Sequence, residues 1–233
     1  MSQMLYTSFM KPKFQAVIFD MDGVLLDSPR YNLESFNRVL KKYNVEIPED
    51  IFAKKYLGGS LRDQLQKWKN DYPEIPKDLD LMDFSNEALK HQIELFKHEL
   101  KSNEYIQKLL SETKLNNIKT AVATSSTKER AKIILKSLDI LDKIDTLVTA
   151  EDVEKHKPEP DIFLKAAEMI GVKPENCVVI EDATDGILAA NNASMKSVAK
   201  LTDYNTKEDF GDANYIFDDF KNLKLSDLEK LYS

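Results

Sequence analysis

The sequence predicts an α/β fold: a doubly wound, Rossmann-like parallel sheet with an inserted all-helical cap domain. Three observations point there. After residue 100, short apolar runs alternate with helical patterns. One further apolar run stands alone ahead of residue 20, and the long stretch between the two regions contains nothing that reads as a strand. Apolar runs too short to be helices, bounded by turn residues, are the mark of strands buried on both faces, and their alternation with helices is the mark of a parallel sheet.

The first element is the run Phe14 to Phe19, with Val17, Ile18 and Phe19 as a buried strand. It delivers Asp20-Met21-Asp22-Gly23-Val24, two carboxylates at i and i+2 followed by a glycine that lets the chain turn. Alternate residues of an extended chain share a face, and ligands of parallel sheets bind outside the carboxyl ends of the strands, where Asp20 would sit. Asp and Gly after a strand also make ordinary turns, so the run alone leaves both readings open.

From residue 30 to residue 99 the pattern is helical. Leu33, Phe36, Leu40 and Tyr43 recur at helical spacing, and a second periodic stretch runs from Asp83 to Leu100. This block is expected to form a cap over the strand ends, with residues 1–29 and 100–233 forming the α/β core. Gly58 and Gly59 supply either a hinge-like loop or a tight connection between two cap helices. Trp68 and the other aromatics of the block are expected in its core.

The remaining strands are expected at Ile118–Ala123, Asp145–Thr149, Cys177–Ile180, Ser197–Ala199 and Asn214–Phe217, with helices starting near Thr127, Asp161 and Asp185. Three loops among them carry groups suited to an anion or a metal. Ala123-Thr124-Ser125-Ser126 places hydroxyls and N–H groups at the start of a helix. Ser126 and Glu129 also read as a capping box, which makes Thr124 the better ligand candidate. In Lys157-Pro158-Glu159-Pro160-Asp161 two prolines stiffen the backbone and fix where the lysine emerges. Val178-Val179-Ile180-Glu181-Asp182 is a second strand that delivers two acids, followed by Asp185-Gly186.

If Asp20, Asp22, Glu181 and Asp182 converge, each pair of charges at about 4 Å repels by about 4 kcal/mol at an effective dielectric near 20. Either some of them are protonated or a cation is bound, and an all-oxygen donor set favours Mg²⁺ over Zn²⁺. His91, His98 and His156 show no metal-ligand spacing.

Composition sets the outer bounds. The 233 residues carry a formal charge of -7, with a pI near 5.2, which argues against nucleic acid or an anionic membrane as the main partner. The single cysteine, Cys177, allows no internal disulfide and fits a reducing compartment. No apolar stretch is long enough for a membrane span, and Met1 to Lys13 lacks the apolar region of a secretory signal. The expectation is a soluble, cytoplasmic protein, monomeric or weakly homo-oligomeric.

Together, Asp20-Met21-Asp22-Gly23-Val24, Thr124-Ser125-Ser126, Lys157-Pro158-Glu159-Pro160-Asp161 and Glu181-Asp182, with the helical insert after the first, resemble the four motifs of the haloacid dehalogenase-like hydrolase superfamily. The resemblance runs from Phe14 to about Phe220, and the insert is placed as in the subfamily that includes β-phosphoglucomutase and phosphoglycolate phosphatase. It implies that Asp20 is the nucleophile and Asp22 the acid and base. It further implies that Thr124, Ser125 and Lys157 bind phosphate, and that Asp20, Asp22, Glu181 and Asp182 place Mg²⁺. The implied substrate is a small phosphorylated metabolite.

Asn32 stands where the mutases carry a histidine, and Arg62 lies about one position from an arginine of their cap loop. These departures favour a phosphatase over a phosphomutase. A non-catalytic phosphate-binding protein is the alternative of another class, and the filled catalytic positions argue against it.

Overall fold

The computed structural model describes residues 14–56 and 61–233. Among them, six strands form one parallel sheet: β1 (Ala16–Phe19), β2 (Lys119–Ala123), β3 (Thr146–Val148), β4 (Cys177–Glu181), β5 (Lys196–Lys200) and β6 (Tyr215–Phe217). Their spatial order is β3-β2-β1-β4-β5-β6. The expected strands are all present, with ends within about two residues of their expected places. Phe14 lies outside β1, and its ring stacks on Tyr232 with centroids 5.9 Å apart.

The double winding follows from side chains that alternate across the sheet. Val17, Phe19, Val122, Val178, Ile180 and Val198 face one apolar layer, shared with α5 (Glu104–Leu115), α6 (Lys128–Ser137) and α9 (Leu225–Glu229). Ala16, Ile18, Ala121, Ala123, Cys177 and Val179 face the other, shared with α7 (Asp161–Ile170) and α8 (Thr184–Asn192). Ala166, Ala167, Ala189 and Ala190 line the second layer and let those helices lie close to the strands.

The insert between β1 and β2 is built of helices joined by loops, with no strand among its described residues. It contains α1 (Ser28–Leu40), the short α2 (Glu49–Ile51) continuing into a wider turn at Phe52–Tyr56, α3 (Leu61–Asp71) and α4 (Leu81–Glu99). It has an apolar core of its own, in which Phe36, Tyr56 and Phe84 surround Trp68 with ring centroids 5.3 to 6.1 Å away. Trp68 is fully buried, and its Nε1 has no hydrogen-bond partner among the described residues. Helix α4 starts where the Asp80 carboxylate accepts from the N–H groups of Met82 and Asp83 at 2.7 and 3.2 Å. Its far end carries Phe96 into the first sheet layer, which anchors the insert to the core. Gly58 and Gly59 lie outside the described residues. No helix among those described is long and apolar enough to cross a membrane.

Candidate active site

Strand order places the crevice. From β1 the sheet grows in one direction through β2 and β3 and in the other through β4, β5 and β6, so the space beyond the carboxyl ends of β1 and β4 is the topological switch point. Phe19 pairs with Ile180 on one side and Val122 on the other. Asp20 and Glu181 therefore leave the sheet side by side, and Thr124 leaves β2 next to them. An open cleft of about 660 Å³ lies here, and Asp20, Asp22, Thr124, Ser125, Lys157, Glu181 and Asp182 all line it.

Asp20 is buried. Lys157 Nζ donates to Asp20 Oδ1 at 2.5 Å and to Glu181 Oε1 at 2.6 Å, and it lies 5.0 Å from the centroid of the Phe163 ring. The lysine is aimed by its own segment. Pro160 sits at the start of α7, and the side-chain amide of Asn192 donates to the Pro158 carbonyl at 3.3 Å. Burial acts against the Lys157 ammonium, but Asp20 and Glu181 outweigh it and raise its pKa.

Glu181 Oε2 accepts from the N–H groups of Asp182 and Ala183, both at 2.7 Å. A Cβ at position 186 would lie 2.0 Å from Glu181 Oε1, so Gly186 makes room for this carboxylate. Gly23 does the same for Asp182, whose Oδ2 lies 1.8 Å from the Cβ position there. Gly23 also has φ of +84°, a conformation that favours glycine.

Asp22 is held separately. Its Oδ1 accepts from Ser28 Oγ and from Arg130 Nη2, the latter at 2.8 Å. Its Oδ2 accepts from Ser126 Oγ and Arg130 Nη1, each at 2.8 Å. Arg130 Nη1 also donates to Ser126 Oγ. Burial acts to raise the Asp22 carboxyl, but the charge and hydrogen bonds of Arg130, with those of Ser28 and Ser126, take it below the ordinary carboxylate range.

The four acids line one cleft but hold different partners. Asp22 is turned to Arg130, and Glu181 spends its oxygens on Lys157 and two backbone N–H groups. One expectation is corrected: Ser126 does not cap α6. Thr127, one residue later, accepts from the Arg130 N–H at 3.4 Å, and Ser126 is left to donate to Asp22.

Oxygen donors nevertheless remain. The Asp182 carboxylate and Asp20 Oδ2 take no hydrogen bond or ion pair among the described residues. Asp20 and Glu181 share Lys157, while Asp182 feels Lys200 and Lys157 without a direct ion pair to either among the described residues. Burial, then Glu181, pushes Asp182 up to about 7, and Asp20 is raised by burial and by the surrounding acids against the pull of Lys157. Two carboxylates with unpartnered oxygens at the cleft suit a hard divalent cation that keeps part of its hydration shell, the chemistry of Mg²⁺.

Arg130, Ser28 and Gln92 were missed by the sequence reading. Arg130 Nε donates to Gln92 Oε1 at 3.0 Å, and Gln92 Nε2 donates to Asn32 Oδ1 at 2.6 Å. One local signal existed: an arginine in the first turn of a helix opposes the helix dipole, so its position calls for another reason. Arg62 is exposed on α3 and does not line the cleft, whereas Asn32 does.

The sequence model of the haloacid dehalogenase-like hydrolase family matches residues 17–200. The chain belongs to that family. It is 32% identical over 188 residues to the phosphorylated carbohydrates phosphatase of Thermotoga maritima, covering 79% of this chain and 83% of that one. It is 34% identical over 192 residues to the β-phosphoglucomutase of Bacillus subtilis, covering 79% and 82%. Among solved structures, the β-phosphoglucomutase of Clostridium difficile matches with a TM-score of 0.74 at 29% identity, over 94% of this chain and 97% of that one. As in the family pattern, this haloacid dehalogenase-like hydrolase carries its helical cap between the first and second strands.

Proposed function

We propose that this protein is a Mg²⁺-dependent phosphatase of small phosphate monoesters, sugar phosphates or short-acid phosphates, working through an aspartyl-phosphate on Asp20. The observation that carries this reading is the buried Asp20 at the end of β1, in contact with Lys157 and facing an open cleft. Residues 1–29 and 100–233 form the catalytic core, and residues 30–99 form the cap that selects the leaving group.

An Asp20 carboxylate oxygen attacks phosphorus while the bond to the ester oxygen breaks, and the departing oxygen takes a proton from Asp22, which carries it once turned away from Arg130. Water then attacks the phosphorus of the aspartyl-phosphate and gives its proton to Asp22, which releases inorganic phosphate and restores the Asp20 carboxylate. The sum is one ester and one water giving one alcohol and one phosphate. Splitting the displacement into two steps is the advantage of a covalent nucleophile, and Asp22 serves first as acid and then as base.

Lys157 neutralises charge on the phosphoryl oxygens, and Thr124 and Ser125 hold those oxygens at the end of β2. Asp20 and Asp182, with the main-chain oxygen of Asp22, would hold Mg²⁺, and Glu181 contributes by fixing Lys157. The cation would supply neutralisation of charge on the transferring group.

The test is ³¹P NMR of the protein with Mg²⁺ and a mixture of phosphoglycolate, hexose 6-phosphates and β-glucose 1-phosphate, repeated with Asp20→Asn. Inorganic phosphate that accumulates only when Asp20 is intact is the expected result. Conversion of one sugar phosphate into another without phosphate release would instead support a phosphomutase, the activity for which two of the compared proteins are named.

A further inference from the structure

We propose that Arg130 determines specificity by receiving a second anionic group of the substrate, a carboxylate or a second phosphate carried beyond the ester oxygen. The inference rests on the phosphatase reading of the same cleft and narrows its substrate class.

Lys157 and Arg130 are the two cationic side chains among the described residues that line the cleft, and Lys157 is committed to Asp20 and Glu181. Arg130 also holds an acid, Asp22, but that partner is partly exposed where those of Lys157 are buried, so Arg130 is the cation open to exchange with a second anion. Its guanidinium is aimed from behind, without the help of Asp22. Gln92 of α4, itself buried, accepts from Nε at 3.0 Å and is fixed in turn by its bond to Asn32 of α1 at 2.6 Å. The plane of the fork is therefore set by two helices of the insert.

In front, the two terminal nitrogens grip Asp22 through parallel contacts of 2.8 Å, the geometry by which arginine binds any planar or tetrahedral oxyanion. One hydrogen of Nη2 has no partner among the described residues. The Asp22 side chain is 32% exposed, so the position it occupies on the fork can be reached from the cleft. A substrate anion that takes the fork leaves Asp22 held by Ser28 and Ser126 and frees it to turn toward the ester oxygen. One exchange then both seats the substrate and releases the proton carrier.

The experiment compares kcat/KM for matched esters that differ only in the second anion: 2-phosphoglycolate against its uncharged amide, and propane-1,3-diol bisphosphate against the monophosphate. p-Nitrophenyl phosphate serves as the control for phosphatase activity itself. The expected result is a preference of about tenfold or more for the doubly anionic member of at least one pair, the scale of a charge-assisted hydrogen bond. That preference should fall to about one in Arg130→Gln.

Should Arg130→Gln not fold, Gln92→Leu keeps the charge but unfixes the fork. It should raise KM for the anionic ester severalfold and leave KM for its uncharged partner unmoved. No preference in either pair while p-nitrophenyl phosphate is hydrolysed overturns the inference and leaves the phosphatase reading intact. A preference that survives these substitutions also overturns it. If no ester is hydrolysed by the wild-type protein, the phosphatase reading itself fails, and this inference falls with it.

Discussion

The two sides of the cleft are built on opposite electrostatic terms. On the β1 and β4 side, Asp20 and Glu181 share Lys157, Asp182 lies beyond them with no direct ion pair among the described residues, and the Asp20 and Asp182 carboxyls are pushed up. On the α6 side, one acid, Asp22, is surrounded by an arginine and two hydroxyls, and its carboxyl is pulled down. The first side is short of positive charge and suits a cation. The second is already balanced and suits an exchange of one anion for another. Two carboxylates two residues apart thus meet different environments.

This contrast can be broken most directly by removing each cation in turn. Lys157→Met leaves two buried carboxylates without a counterion. Urea unfolding in EDTA should show a loss of about 3–5 kcal/mol. Arg130→Met should cost clearly less, because Ser28 and Ser126 still serve a partly exposed Asp22. Equal losses would mean that the two sides are not different in kind.

A smaller effect is expected from Gly186→Ala. The added methyl meets a Glu181 carboxylate that is held at both oxygens, so an overpacking cost of about 1–3 kcal/mol follows, measurable by thermal unfolding. Activity should fall with it as Lys157 loses its alignment.

The pH dependence sharpens the comparison further. Because the Asp182 carboxyl is raised to about 7 in the folded chain, the stability contributed by its protonated form is full below the ordinary carboxyl range. It is lost as pH rises through about 7. In EDTA, the difference in melting temperature between wild type and Asp182→Asn should therefore widen in favour of the variant from pH 5.5 to pH 8. Saturating Mg²⁺ should raise the melting temperature of the wild type at pH 8 and do much less for the variant. No change in that difference with pH would remove the argument for a cation-deficient side.

The smallest effect lies away from the cleft. Burial pushes the Cys177 thiol up to about 12. A thiol reagent at pH 8 should therefore leave the native chain unlabelled and label one site after denaturation.

The strands were legible because a parallel sheet buries both faces of its strands and so writes them as apolar runs. Val17 to Phe19 and Val178 to Ile180 needed no further signal. The residues around the cleft were legible for a related reason: chemistry at strand ends follows those runs immediately in sequence. What escaped was the binding of Asp22. Its partner Arg130 lies 108 residues away, and the contacts from Arg130 to Gln92 and from Gln92 to Asn32 span 38 and 60 residues. Local pattern carries no record of such pairs. Ser126 was misread because Thr127 offers the same capping chemistry one position later, and the choice between them depends on Asp22.

The position of Trp68 has a practical consequence. It is the only tryptophan of the chain, and it lies in the apolar core of the helical insert, away from both layers of the sheet. Its fluorescence emission is therefore a private signal of the insert: a red shift on adding urea reports that core opening to water. Circular dichroism reports the whole chain. Overlay of the two curves would mark a single cooperative unit, and an earlier shift in emission would show that the insert unfolds while the sheet still stands.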